Sequence, residues 1–412
     1  MKQFALNRFG IDEIISLYKD KPVIKVLQGI RRSGKSFMLE LLAQKMIQIG
    51  ANQNQIVLLN FEDFENLELL DSKKLYDYIK KRNESADGKK IYLFLDEIQE
   101  VADWEKVVNS IYSSTTVDSD IYITGSNANL LSSELATYLS GRYVLIHVWP
   151  LSYREFLYFN SERDSPDAFK KFIEYGGFPG LKDMMENPVQ IHSYLEGIYS
   201  TVLLKDVISR NKIRDTGILE KIILYIADNV GNIFSAKRIS DFMKNGGRSL
   251  SVETIYNDLE YLKNALVLYK VPRYDLRGKK ILETMEKYYL ADQGLLTFLH
   301  GFKDTYINGI LENIVYIELL RRGYKVFIGK IRDAEIDFVV EKGGERIYIQ
   351  VAYLITTEEI KEREIRPLKS LLALGDNFPK LILTMDELPV SNENGIVRKN
   401  IREWILDVDY DI

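Results

Sequence analysis

Apolar and polar positions alternate in blocks along the first 150 residues. Ile11, Ile14, Ile15 and Leu17 share one face of a helix over 9–19. Val23-Ile24-Lys25-Val26-Leu27 reads as a buried strand, and Phe37-Met38-Leu39-Glu40-Leu41-Leu42 as the opening of a helix. Gln55–Asn60 is a second strand. A polar helical stretch over 64–90 has Leu67, Leu69, Leu70, Leu75, Tyr76 and Ile79 as its inner face. Ile91-Tyr92-Leu93-Phe94-Leu95 is unbroken by any polar residue, as a strand buried on both faces must be. Asp120–Thr124 is a fourth strand. A helix over 134–139 stops at Gly141, and Tyr143–Val148 is a fifth strand. Strands alternating with helices predict a doubly wound α/β domain over 1–150.

The pattern then changes. Residues 151–230 read as mostly helical, interrupted at Tyr175-Gly176-Gly177-Phe178-Pro179-Gly180, which cannot continue a helix. Residues 231–295 read as a winged helix-turn-helix. Ser235 opens a short helix, Gly246-Gly247 turns, and Ser251 caps a second helix over 252–262. Two strands around Arg277-Gly278 form the wing. A fresh α/β pattern fills 296–412: a helix over 307–322 containing Glu312, then strands over 324–329, 335–340 and 346–352.

Composition narrows the function classes. A chain of 412 residues is too long for one ordinary core. The formal net charge of −5 gives no global case for nucleic acid, though it permits a local basic patch. With no cysteine, disulfides, thiol nucleophiles and thiolate metal sites are ruled out, which fits a reducing compartment. The three histidines, His147, His192 and His300, are far apart and do not suggest a metal site. The N-terminal residues lack a signal-peptide core, and no run approaches the ~18 apolar residues of a membrane span. A cytoplasmic protein with no membrane partner is expected.

The chemistry concentrates after the first strand. Gly29-Ile30-Arg31-Arg32-Ser33-Gly34-Lys35-Ser36, followed by Phe37, has the strand–loop–helix setting of a P-loop. A phosphate chain needs converging backbone N–H groups, and a loop entering a helix N-terminus supplies them. Lys35 is expected on the β/γ-phosphates of ATP, and Ser36 on Mg²⁺. Asp96 and Glu97 follow the third strand at the end where ligands bind in such sheets. Asp96 is expected beside the metal, and Glu97 beside the attacking water. The wing carries Arg273, Arg277, Lys279 and Lys280, a candidate DNA-binding patch. The preceding helix carries Glu253, Asp258 and Glu260, which argues against its entering a DNA groove.

These segments resemble the prokaryotic AAA+ superfamily ATPases of the archaeal, STAND-like branch. The likeness rests on the P-loop, Leu93–Gln99, Ile123-Thr124-Gly125-Ser126, Leu139-Ser140-Gly141-Arg142, Pro150–Phe156 and Gly176-Gly177-Phe178-Pro179. It implies an AAA+ module over 1–150, a helical lid over 151–230, a winged helix over 231–295 and a restriction-endonuclease-like domain over 296–412. It implies a γ-phosphate sensor among Thr124, Ser126 and Asn127, with Ser126 and Asn127 favoured. It also implies an arginine finger at Arg142 that would act on a neighbouring subunit. In the end domain Glu312 and Asp337 match the nuclease layout. Gln350 and Ala352 stand where a carboxylate and a lysine belong, so cleavage is not expected unless Lys330 or Lys361 reaches in from elsewhere. The resulting expectation is an ATPase that couples ATP and ADP states to DNA or a nucleoprotein, as a homo-oligomer or with a protein partner. A signalling switch and an ATP-regulated nuclease are the alternatives.

Overall fold

The structure is a computed structural model that describes residues 10–125, 139, 141–209, 211–213, 215–245, 250–387 and 389–407. The chain forms two compact units, Met1–Pro150 with Asn264–Leu266, and Leu151–Lys263 with Val267–Ile412. Among the described residues no helix is long and apolar enough to cross a membrane.

The first unit is built on five parallel strands: β1 (Ile24–Gln28), β2 (Ile56–Asn60), β3 (Ile91–Asp96), β4 (Ser119–Gly125) and β5 (Tyr143–His147). Their order is β2-β3-β4-β1-β5, so β4 lies between β1 and β3. Among the described residues its helices are α1 (Ile11–Tyr18), α2 (Lys35–Gln48), α3 (Ser72–Glu84) and α4 (Trp104–Tyr112). Successive strand residues face opposite ways. Val26, Leu93, Leu95 and Ile123 therefore join one core layer, with residues of α3 and α4. Leu27, Tyr92, Phe94 and Tyr122 join the other, with α1 and α2. This two-sided burial is why β3 is apolar at five consecutive positions. Lys25, the one charge inside β1, is fully buried and paired with buried Asp120 on β4. The Tyr122 hydroxyl and the Asp20 backbone N–H also donate to that carboxylate.

The second unit begins with helices α5 (Tyr153–Asn160), α6 (Pro166–Tyr175), α7 (Pro188–Thr201) and α8 (Thr216–Asp228). Local chemistry starts each one. Ser152 and Glu155 form a capping box on α5, Ser165 and Asn187 cap helices whose first residue is proline, and Asp215 caps α8. Then follow α9 (Ala236–Asn245), α10 (Val252–Asn264), β6 (Leu268–Asp275), β7 (Lys280–Leu290), α11 (Gln293–His300) and α12 (Ile307–Arg321). The chain continues with β8 (Lys325–Ile331), β9 (Ala334–Lys342), β10 (Glu345–Val351), α13 (Glu358–Leu372), β11 (Lys380–Thr384), β12 (Ser391–Glu393), β13 (Ile396–Asn400) and α14 (Ile401–Leu406).

The expected wing is the hairpin β6–β7, and it does not stand apart. Arg273–Asp275 of β6 pair in parallel with Ile328–Lys330 of β8. One eight-stranded sheet, ordered β12-β13-β11-β10-β9-β8-β6-β7, therefore runs across the expected boundary at 295. The Gly176-Gly177 turn is tied to α11. Asp292 accepts the Gly177 and Gly294 backbone N–H groups, each at 2.8 Å. Gly176 has φ +81°, and a Cβ there would lie 1.9 Å from Asp292 Oδ1, so only glycine fits.

Candidate nucleotide site and associated surfaces

The P-loop leaves β1 at Gln28 and enters α2 at Lys35. A Cβ on Gly29 would lie 2.1 Å from the Val148 carbonyl oxygen, so the loop passes β5 at a distance only glycine allows. Gly34 has φ +95°, which turns the chain into the helix. Arg32 also has a left-handed backbone and is exposed. Ile30 and Ser33 are buried in the loop's interior, and Arg31 reaches Glu62 at 3.5 Å. Phe37 packs against the α2 core layer. Lys35 is buried, and its ammonium donates to the carbonyls of Gly29 (3.1 Å) and Ile30 (3.3 Å), so the charge sits inside the loop.

The two acids stand at the tip of β3, one strand beyond β4 from the loop. Asp96 is 3% exposed and accepts a hydrogen bond from the Thr124 hydroxyl, and Ser36 lies close enough to favour its charged form. Burial, with a smaller push from Glu97, raises its pKa above the ordinary value, against the pull of Thr124, Ser36 and Lys35. Glu97 is buried in a left-handed backbone conformation, φ +52°. Its backbone N–H donates to Thr124 Oγ1 at 2.9 Å, and its carboxylate accepts from the Gln99 amide. Lysine, serine and two acids thus converge beyond the C-terminal ends of β1 and β3, on either side of β4. The donor set fits Mg²⁺-ATP: oxygen ligands from Ser36 and Asp96 for a hard cation, and a glycine loop with a buried ammonium for phosphate.

Two further residues bear on this site, Thr124 and Gln99. Thr124, the sensor candidate ranked below Ser126 and Asn127 on sequence, is bonded to Asp96 through its side chain and to the Glu97 backbone N–H. Gln99 closes the Leu93–Gln99 motif, and its contact with Glu97 depends on the turn after Glu97. Ser126 and Asn127 lie outside the described residues.

Arg142 is not brought to this site within its own chain. Its carbonyl accepts the Ile24 N–H at the start of β1, about 13 Å of strand away from the loop. Its guanidinium donates to Asn109 and lies over the Tyr112 ring, both on α4.

Of the four basic wing residues, Arg277, Lys279 and Lys280 are exposed at the β6–β7 turn. Arg273 requires a correction. It is 8% exposed, with its guanidinium against Met285, because β6 is an inner strand. Asp258 likewise lies on the buried face of α10, and burial pushes its carboxyl up to about 6.

In the C-terminal sheet Glu312, Asp337 and Gln350 do come together. The Asp337 N–H lies 3.4 Å from Gln350 Oε1, and the Gln350 amide donates to Glu364 at 3.2 Å. Ala352 is buried, and Lys361 is paired instead with Glu393 at 2.8 Å. The lysine that reaches the acids is Lys287, from β7.

A family model described as an AAA domain matches residues 21–157, and one described as a domain of unknown function matches 166–306. An uncharacterized protein of Haemophilus influenzae is 40% identical over 410 residues, covering 98% of this chain and all of that protein. An uncharacterized protein of Methanocaldococcus jannaschii is 32% identical over 383 residues, covering 89% of this chain and 81% of that protein. Among solved structures, the Walker-type ATPase PABY2304 of Pyrococcus abyssi is similar with TM-score 0.48 and 15% identity, over 70% of this chain and 93% of that one. The Aeropyrum pernix ORC1 protein in complex with DNA is similar with TM-score 0.30 and 14% identity, over 69% and 88%.

Proposed function

The chain belongs to the P-loop ATPases of the AAA+ superfamily, and from that premise we propose that it binds ATP with Mg²⁺ and hydrolyses it to switch a DNA or nucleoprotein partner. The convergence of Lys35, Ser36, Asp96 and Glu97 on one edge of the parallel sheet carries this reading. Gly29–Phe37 hold the phosphate chain, with Lys35 on the β/γ-phosphates. Ser36 and Asp96 hold Mg²⁺, which when bound neutralises phosphate charge. Glu97 orients the attacking water, and Thr124 fixes both acids. Ser126 and Asn127 sense the γ-phosphate. Arg142 faces away from its own loop, which supports action on a neighbouring subunit in a homo-oligomer.

The partner side of the proposal rests on the exposed Arg277, Lys279 and Lys280, which suit a phosphate backbone. Residues 151–230 serve as a lid, and the sheet that takes in the wing binds without cutting. A sequence without cysteine fits a reducing compartment such as the cytoplasm. The test is the ATPase rate with and without duplex, single-stranded and branched DNA across a salt series. Stimulation that fades with salt is expected. ATP turnover indifferent to every DNA would instead favour a switch that binds proteins.

A further inference from the structure

Four charged side chains meet on the sheet of the second unit. Lys287, on β7, is 1% exposed. Its ammonium lies 2.9 Å from Glu335 Oε1, 3.2 Å from Glu312 Oε2 and 3.3 Å from Asp337 Oδ1. The acids come from α12 and β9, so three elements converge on one nitrogen. Two of the carboxylates are also held from outside the cluster. The Tyr289 hydroxyl donates to Glu312 at 2.9 Å, and the Val351 N–H donates to Asp337 Oδ2 at 2.9 Å. Burial alone would lower the lysine's pKa, but the three carboxylates outweigh it and hold the pKa above its ordinary value. Lys287 therefore stays an ammonium, and burial raises the pKa of Glu312.

Glu312 and Asp337 are the pair that a restriction-endonuclease-like layout would use to hold a divalent ion. The residues present do not fit one. A hard divalent ion needs several oxygens at about 2.0–2.6 Å, and the ammonium already occupies the space between these oxygens. Gln350, where a further carboxylate would stand, has its amide engaged by Glu364 and the Asp337 N–H. Among the described residues no group of three or more histidines, cysteines or acids is arranged to hold a metal ion. Acids packed this closely still need a cation, since like charges in a buried site repel.

We propose that Lys287 is the resident cation of this centre. Its ammonium takes the place of the divalent ion, closes the centre to metal-assisted cleavage, and ties the β6–β7 hairpin to β9 and α12. The positive charge missing at Ala352 is supplied from a different strand. This rests on reading the sheet as nuclease-like and non-cutting.

The test is Mn²⁺ binding to full-length, nucleotide-free protein, with free Mn²⁺ read by electron paramagnetic resonance. Wild type should show no Mn²⁺ binding that Asp337→Asn removes. Lys287→Ala should gain one Mn²⁺, bound about tenfold or more tightly than by wild type, and Lys287→Ala with Asp337→Asn should lose it. Lys287→Met keeps the buried stem and serves if the alanine variant does not fold, and the wild-type comparison stands without either. Asp337-dependent Mn²⁺ binding by wild type would overturn the proposal. So would a folded Lys287 variant that binds none. DNA cleavage by wild type is a separate readout, and it would overturn the non-cutting reading underneath.

Discussion

The hydroxyl of Thr124 donates to the carboxylate of Asp96. The same oxygen accepts the Glu97 backbone N–H at 2.9 Å. One side chain on the strand between β1 and β3 thus holds both acids at the tip of β3. Thr124→Val keeps the shape, removes the hydroxyl and leaves a buried N–H without its acceptor, at about 1–3 kcal/mol. We expect ATP affinity to change little, the Mg²⁺ requirement to rise, and kcat to fall about 10–100-fold. Thr124→Ser should retain most activity. Steady-state kinetics over a Mg²⁺ series check this, and an unchanged kcat in the valine variant would refute it.

Arg142 should act across a subunit boundary. Mixing Arg142→Ala with Lys35→Ala subunits should recover part of the activity that each lacks alone, because one intact composite site can form. Mixtures proved by mass to co-assemble, yet showing no recovery, would count against this role.

The wing prediction separates exposed from buried arginine. Neutral residues at Arg277, Lys279 and Lys280 should weaken DNA binding and flatten its salt dependence. The log–log slope should drop by about 0.9 for each phosphate that the variant no longer neutralises. Arg273→Met should leave that slope alone, since its side chain is inside the sheet. Fluorescence anisotropy with labelled duplex at several salt concentrations distinguishes the two. Equal effects would place the DNA-binding surface elsewhere.

Asp292 should make stability fall with rising pH. Burial pushes its carboxyl from 3.8 up to about 7. The fold therefore keeps a proton that the unfolded chain gives up. Its contribution is fully present below about pH 4 and lost as pH rises through about 7. The change is at most about 4 kcal/mol. Thermal melts from pH 5 to 8 should fall less steeply in Asp292→Asn than in wild type. Part of the slope should remain, because Glu312 is shifted in the same direction. Parallel curves would rule out Asp292 as a source.

What was legible in the sequence was local or periodic. Leu93-Phe94-Leu95 announced a central parallel strand because both of its faces are buried. Gly29 and Lys35 announced the loop because phosphate binding demands those residue types at that spacing. The β6–β7 hairpin was legible from its turn, but its pairing with β8 was not, since only three residue pairs join strands about 55 positions apart. The burial of Arg273 follows from that unseen neighbour. Lys287 looks like any polar residue beside Tyr288 and Tyr289. Its partners Glu312 and Asp337 lie 25 and 50 residues away, and no local pattern connects them.

Under the proposed function one site grips phosphate through Lys35 and activates water through Glu97. Binding of a fluorescent ATP analogue, measured beside phosphate release for wild type, Lys35→Ala and Glu97→Gln, tests it directly. Lys35→Ala should lose nucleotide affinity, whereas Glu97→Gln should bind nearly as wild type and release almost no phosphate. Equal loss of binding in both variants, or undiminished phosphate release from Glu97→Gln, would contradict the account.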